Sequence, residues 1–329
     1  MLEVSDVMFM IQDAEDASYD NTSLFLEDED VMIAHYVMVV VCTIYVPIIL
    51  VSNFIVFWGI FLYPGFQNPN NYLLLSLSIA DFLTGCFCLP MYILSYLPFT
   101  YKFVFTNKYV CLTWFASIEI GPGGSLANLF FITIDRYIAV LWPLRYPQIV
   151  TKPRTIKAVI CMWCFISLLA FSPMLFDWNK YDPTLLPLTA RCNFHKTLPV
   201  WYVVIATFGT VLTTLLICSV LNAQIIYVSR RQVNSFRKRI SSFSREQIRN
   251  FQNRMNSVKI TSYLMLLFIV LLLPYMVLAP FKYYRKFSQK NIEIIRVTTL
   301  LLTFTNSIVN APIYAMFRRE YKEVFKVLL

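Results

Sequence analysis

The sequence predicts an all-α membrane protein, in which a seven-transmembrane helix bundle is followed by a short amphipathic eighth helix. Hydrophobic residues make up 58% of the chain and charged residues 14%, whereas soluble domains carry about 25% charged residues. Seven apolar segments reach the length of about 20 residues that crosses a bilayer. Each is expected to be a helix because lipid cannot satisfy open backbone groups. The segments cover approximately residues 31–61, 69–97, 109–134, 156–176, 198–228, 258–281 and 295–317.

The distribution of basic residues predicts that the N-terminus of this multi-pass membrane protein lies on the outer side. In that orientation 18 of the 28 Lys and Arg residues lie on the inner side, as the positive-inside rule requires. The net charge of +9 therefore reflects topology, and we do not interpret it as nucleic-acid binding.

The chain divides into three regions. Residues 1–30 hold ten acidic residues and no Lys or Arg, which predicts a disordered acidic extracellular tail. An N-glycosylation sequon begins at Asn21 in this tail. Residues 31–315 form the seven-helix domain. Residues 316–329 form the cytoplasmic C-terminus, where apolar residues at helical spacing predict an interfacial helix in contact with membrane lipid.

The second segment carries Asp81 in its middle. Burying a carboxylate in lipid is costly, so an intramembrane aspartate is a candidate functional residue. One carboxylate among neutral oxygens suits a monovalent cation or a proton-linked water cluster, and the alternative is a neutral hydrogen-bonded packing network. Its expected neighbours lie at similar depth on other segments: Asn53, Ser125, Asn306, Ser307 and Asn310.

The triplet Asp135-Arg136-Tyr137 closes the third segment. Arg136 can pair with Asp135 at rest and, once released, can meet a partner that enters from the cytosol. Anchoring at the membrane interface is the alternative, because Arg and Tyr are common there.

Prolines in the last two segments predict bends, because a proline frees a backbone carbonyl. Pro274 lies in the sixth segment and Pro312 in the seventh, between Asn310 and Tyr314. In the third segment, the run 121–124 contains three glycines and a proline, which predicts a loosened or kinked helix.

Taken together, these features resemble the rhodopsin-like (class A) G-protein-coupled receptors. The resemblance covers nearly all of the chain after residue 35, and the 24 residues between Cys111 and Asp135 make it specific. It implies a disulfide between Cys111 and Cys192, a sodium-linked water network at Asp81, and coupling to a heterotrimeric G protein. The chain departs from the family pattern at two positions. Leu272 stands where a tryptophan is usual, and the proline of the seventh helix stands one place later than usual, at position 312.

Segments 134–146, 172–179, 192–202 and 306–325 resemble adenosine receptors in particular. The resemblance implies that Phe194 could stack on a purine. The polar ligand contacts of those receptors are replaced here, however, and a site without such donors discriminates polar ligands poorly. Ordinary adenosine binding is therefore not expected. The residues at the replaced positions are His195, Ala279, Thr303 and Phe304.

Other pocket candidates lie in the third, sixth and seventh segments. Aminergic receptors place an aspartate where Ile118 stands, so ordinary amine binding is not expected either. Glu119, the next residue, either binds a basic group of the ligand from a different direction or pairs with another residue of the protein. Arg296 either lines the pocket or extends to the interface. Leu272 and Tyr275 complete the candidate set.

We therefore predict a class A receptor that transduces binding of an unidentified extracellular small molecule or peptide to heterotrimeric G proteins. The altered motifs keep open a non-signalling decoy, or a dimer partner of another receptor. A transporter would need inverted repeats, which we do not find. Two histidines on the outer side, without a nucleophile constellation, argue against an enzyme. No cofactor is expected other than a sodium ion at Asp81.

Overall fold

Seven membrane-length helices form the bundle. The computed structural model describes residues 29–62, 68–97, 99–185, 191–238, 244–278 and 289–317, and seven helices in this part are long and apolar enough to cross a membrane. The predicted all-α seven-helix bundle is thereby confirmed. The helices are α1 Glu29–Leu62, α2 Pro69–Tyr96, α3 Lys108–Leu141, α4 Lys152–Leu175, α5 Tyr202–Lys238, α6 Arg245–Leu278 and α7 Gln289–Phe317.

Asparagine caps fix where α2 and α3 begin. The side chain of Asn68 accepts a hydrogen bond from the backbone N–H of Asn71, and Pro69 occupies the first turn. Asn107 accepts two such bonds at the start of α3. Both arrangements satisfy N–H groups that have no partner within the helix, and proline is favoured in the first turn because it lacks an N–H.

Apolar clusters hold the bundle together. The central cluster joins α1, α2, α3, α5, α6 and α7 and includes Leu77, Leu129, Leu215, Phe268 and Ala311. A second cluster joins the outer halves of α1, α2 and α7. Large apolar side chains also lie exposed around the bundle, where lipid rather than water is the expected surrounding.

Three π-helical segments interrupt the regular helices: Thr84–Cys88 in α2, Glu119–Gly123 in α3 and Tyr202–Gly209 in α5. The glycine-rich run of α3 therefore widens one turn, and the helix continues through it. At Gly121 a Cβ atom would lie 2.5 Å from Thr84 Oγ1, so the close approach of α2 and α3 requires glycine there.

The described helices extend beyond several of the predicted segments. The third segment was predicted to end at residue 134, but α3 continues to Leu141. The added turns are amphipathic, and Tyr137, Val140 and Leu141 pack against α5 and α6. Helix α5 likewise continues beyond residue 228 to Lys238, and α6 begins before residue 258, at Arg245. Residues 1–28, which include Asn21, and residues 318–329 lie outside the described residues. Glu29 and Asp30, the last two residues of the predicted acidic tail, form the first turn of α1.

A disulfide joins Cys111 at the outer end of α3 to Cys192 in the second outer loop, as predicted. An apolar outer cluster surrounds it, formed by Phe105, Leu112, Phe115 and neighbouring loop residues. The loop is therefore fixed both covalently and by packing over the space between α3, α4 and α5.

Candidate functional site

Asp81 lies fully buried at the centre of a polar network. Ser125 Oγ donates a hydrogen bond to Oδ1 at 2.8 Å, and Asn310 Nδ2 donates one to Oδ2 at 2.7 Å. The buried side chain of Ser307 also lies close to this carboxyl. The carboxyl therefore ties α2 to α3 and α7, and three of the five predicted neighbours reach it.

The other two predicted neighbours have different positions. Asn53 donates to the carbonyl oxygens of Ile49 at 3.0 Å and of Ser307 at 3.2 Å, so it joins α1 to α7 beside the carboxyl. Asn306 is buried on α7 but makes no hydrogen bond to Asp81.

The inner end of α3 carries a buried ion pair. Arg136 Nε donates to Asp135 Oδ2 at 2.8 Å, and Nη2 donates to the same oxygen and, at 3.0 Å, to Asn70 Oδ1. Tyr146, in the second inner loop, donates to the other oxygen of Asp135 at 2.7 Å. We call these four residues the inner clasp. Only 8% of Arg136 is exposed, so the clasp keeps its guanidinium buried.

An apolar seal lies at the same end of the bundle. Val140 on α3 and Ile225 on α5 pack with Met255 and Val258 on α6, and Tyr137 packs against this group. Helix α6 therefore lies against α3 and α5 next to the inner clasp.

The remaining predicted switch residues lie along α6 and α7. Pro274 lies near the outer end of α6, partly buried. Pro312 is exposed on α7 within an unbroken helix, and the Tyr314 side chain lies outside the described residues. A polar link between α5 and α6 was missed: Ser262 Oγ donates to Asn222 Oδ1 at 2.8 Å.

The predicted pocket residues that the structure describes lie in several separate packing clusters. Ile118, Tyr275 and Phe304 belong to or pack on the cluster of α1, α2 and α7, and Leu272 is buried in the central cluster. The Thr303 hydroxyl donates to a carbonyl of its own helix.

The remaining pocket candidates lie in the second outer loop, between α4 and α5, on α3 and in the sixth segment. Phe194 packs edge-on against Phe115, with ring centroids 5.3 Å apart. Glu119 accepts a hydrogen bond from Thr207 of α5. Ala279 and the side chain of His195 lie outside the described residues.

Arg296 forms part of a polar chain across the outer ends of α7, α1 and α2. Its guanidinium donates to both oxygens of Glu293. Glu293 Oε1 lies 3.4 Å from His35 Nε2, and His35 Nδ1 lies 3.0 Å from the Tyr92 hydroxyl. Sequence reasoning missed His35 and Glu293. The available signals were a histidine within an apolar segment and the i,i+3 spacing of Glu293 and Arg296.

Comparison with known proteins identifies the family. The sequence profile described as "7 transmembrane receptor (rhodopsin family)" matches residues 52–314. The chain belongs to this family. Membership confirms the predicted class A resemblance, and it confirms that the chain is a non-enzymatic receptor in the membrane. A rhodopsin-family receptor responds to an extracellular ligand and signals through a heterotrimeric G protein.

Similar rhodopsin-family proteins include several adenosine receptors. Adenosine receptor A3 of Bos taurus is 27% identical over 287 residues, which is 85% of each chain. Adenosine receptor A2b of Homo sapiens is 27% identical over 278 residues, covering 80% of each chain. Adenosine receptor A2a of Canis lupus familiaris is 26% identical over 290 residues, covering 85% of this chain and 69% of the relative.

Proposed function

We propose that this receptor recognises a ligand other than adenosine and transmits its binding to a G protein by opening the inner clasp. The single observation that supports this most strongly is the burial of Arg136 between Asp135 and Asn70, beside the apolar seal. The clasp stabilises the charged side chain of Arg136 in the resting state. Once the clasp opens, the same side chain becomes available to the G protein.

The proposed transition has two states. In the resting state Met255 and Val258 pack on Val140, and Arg136 stays in the clasp. A ligand that binds better to the second state shifts the population towards it, by an amount set by its difference in affinity for the two. In that state α6 leaves α3, and the G protein meets Arg136 in the space that opens.

The ligand differs from that of the adenosine receptors in this proposal. At 26–27% identity the relatives do not fix the ligand. Thr303, at a position where those receptors carry a polar ligand contact, is buried with its hydroxyl bonded within its own helix. Neighbouring Phe304 is buried in an apolar cluster. A ligand recognised through ribose-like hydroxyls would find little to bind here.

Sodium binding at Asp81 is a second part of the proposal. Hard cations prefer oxygen ligands, and the oxygens of Asp81, Ser125 and Ser307 form such a set within one buried network. These three residues would hold the ion. The bound ion would neutralise the charge of the carboxylate. The amide nitrogen of Asn310 is a hydrogen-bond donor and cannot serve as a ligand to the ion. The role of the network would be to stabilise the resting state.

The proposed topology follows from the charge distribution. The N-terminus is extracellular and carries a glycan at Asn21, residues 31–315 form the receptor domain in the plasma membrane, and residues 316–329 lie on the inner leaflet against lipid. A non-signalling decoy, or a dimer partner of another receptor, is the alternative. The intact Asp135–Arg136 pair favours signalling, because a receptor without a G protein has no need of a clasped arginine at its inner face.

A cell assay tests the proposed function. Basal cAMP and calcium are measured for the natural chain and for Arg136→Ala at matched surface expression. A basal signal that the substitution abolishes supports coupling through Arg136. A basal signal that persists in Arg136→Ala would contradict this role.

A further inference from the structure

Three exposed aromatic rings contact one another where α4 ends and α5 begins. Phe176 stacks on Trp178 with ring centroids 4.9 Å apart. Trp178 meets Trp201 at an interplanar angle of 69°, with centroids 5.2 Å apart, so these two rings form a corner. The exposed fractions of the three residues are 56%, 42% and 45%. The corner is therefore accessible from outside the bundle.

A charged pair lies beside these rings. Lys108, at the start of α3, donates to Asp177 Oδ1 at 2.7 Å, and Asn179 Nδ2 donates to the same oxygen at 3.0 Å. The hydrogen bond from Lys108 lowers the pKa of Asp177, so this carboxyl is negative at neutral pH. Oδ2 takes part in neither of these contacts, and an ammonium group has three N–H donors. The carboxylate and the ammonium can therefore each bind a further group of opposite charge.

Asp177 has a left-handed backbone conformation, with a φ of 53°, which no other non-glycine residue in the described part of the chain shares. Glycine is usual at this position after a helix, because it has no Cβ to clash. The conformation turns the chain after Phe176 and brings the rings on either side of Asp177 into contact. An aspartate here gives up the ease of glycine and places a carboxylate next to the stacked rings.

These groups lie at a boundary between lipid and water. Helix α4 ends at Leu175 and α5 begins at Tyr202, so the rings lie at the ends of two membrane-length helices. Leu175 and Ile205 are 63% and 66% exposed, where acyl chains are the expected surrounding. Tryptophan is common at such boundaries, and anchoring would account for the rings. Anchoring would account for neither the ion pair nor the backbone of Asp177.

We propose that this surface binds the phosphocholine headgroup of a membrane phospholipid. Aromatic rings recognise quaternary ammonium groups through cation–π attraction, and the corner of Trp178 and Trp201 offers two rings to one such group. Asp177 adds negative charge for the ammonium, while Lys108 donates to the phosphate. The acyl chains continue along the exposed apolar surface of α4 and α5. The two charges of the zwitterion thus match the two charges of the pair.

The inference goes beyond the proposed function, because it concerns the lipid at the outer ends of α3, α4 and α5 and requires no coupling through Arg136. Two other phospholipids separate the contributions to headgroup binding. Phosphatidylethanolamine has the same phosphate but a primary ammonium, which is compact and strongly hydrated. Phosphatidylglycerol has the phosphate without a cation. A preference for phosphatidylcholine over both therefore requires recognition of the quaternary ammonium.

The test measures thermal unfolding of the full-length receptor, purified in dodecyl maltoside, with increasing amounts of one phospholipid. The dioctanoyl forms of phosphatidylcholine, phosphatidylethanolamine and phosphatidylglycerol are compared. They share their acyl chains, so differences between them report the headgroup. Phosphatidylcholine should reach half of its maximal rise in Tm at a concentration about two- to fivefold lower than the other two lipids, as expected for one exposed cation–π contact.

Matched variants identify the groups that select the lipid. Trp178→Leu and Trp201→Leu keep an apolar side chain and should each remove the preference for phosphatidylcholine. Asp177→Asn keeps a residue that accepts the left-handed conformation but releases Lys108, so it should shift the preference towards phosphatidylglycerol. Phe165→Leu is the control. It is 63% exposed on α4 but about 15 Å from the outer end of the helix, so the preference should persist.

Three results would overturn the inference: equal responses to the three lipids, a stronger response to either of the other lipids than to phosphatidylcholine, or an undiminished preference in the tryptophan variants. If one tryptophan variant does not fold, the other variant and Asp177→Asn still provide the comparison. Basal signalling through Arg136 does not enter this measurement. Failure here and failure of the proposed function are therefore distinguishable.

Discussion

Replacing Gly121 by alanine adds a methyl group at the closest approach of α2 and α3. The new Cβ would lie 2.5 Å from Thr84 Oγ1 and 3.2 Å from Thr84 Cα. Ordinary van der Waals contact begins near 3.4 Å, so the helices must separate or Thr84 must turn. Overpacking of this kind costs about 1–3 kcal/mol, and contact with backbone as well as side chain favours the upper half of that range.

Gly123→Ala is a matched control on the same turn. Its Cβ would find only Glu119 Oε2, at 4.0 Å. The gain in helix propensity of about 1 kcal/mol is common to both variants and cancels in the comparison. Gly121→Ala should therefore be about 2–3 kcal/mol less stable than Gly123→Ala, which corresponds to a Tm difference of roughly 3–4 °C for a chain of this length.

The assay follows thermal unfolding of the detergent-solubilised protein with a thiol-reactive dye. Cys42, Cys88 and Cys218 are buried free thiols, so the dye reports opening of the bundle. Thr84→Ala removes the nearest clashing atom and should reduce the penalty of Gly121→Ala in a double-mutant cycle. Equal Tm values for the two glycine variants would refute the close approach of α2 and α3.

Three further predictions concern the polar groups. Tyr146→Phe removes one hydrogen bond to Asp135, worth about 1 kcal/mol for a half-buried group. Basal G-protein signalling should rise about fivefold, while Tyr72→Phe, whose ring alone makes the described contact, should leave it unchanged. Replacing potassium by sodium should raise the Tm of the natural receptor but not that of Asp81→Asn; equal shifts would exclude a sodium site there. His35→Ala should lower the Tm. Glu293→Gln should lower the Tm less in the His35→Ala variant than in the natural chain, because both substitutions break the same chain of bonds. Additive decreases in Tm would contradict that link.

The helix count and the Asp81 network could be predicted because lipid makes polar groups expensive. A 20-residue apolar segment has few structural alternatives in a membrane. Within such segments, buried polar side chains are stable only where they form hydrogen bonds with one another. Ser125, Ser307 and Asn310 accordingly reach the carboxyl.

The outer pocket could not be predicted in the same way, because it depends on how each helix is rotated. A π-helical turn adds a residue and rotates all that follow it, and the sequence does not distinguish such a turn from a kink. Glu119 therefore faces Thr207, and Leu272 lies in the central core. The link between His35 and Glu293 likewise depends on the relative position of α1 and α7, which local patterns do not encode.

Control of G-protein coupling by the inner clasp can be tested by measuring nucleotide exchange on purified heterotrimeric G proteins of each class, with the receptor in lipid nanodiscs. The natural chain, Tyr146→Phe and Arg136→Ala are compared. Tyr146→Phe should accelerate exchange on at least one class more than the natural chain does, and Arg136→Ala should give none. Absence of exchange with both the natural chain and Tyr146→Phe, or unchanged exchange with Arg136→Ala, would show that the inner clasp does not control G-protein coupling.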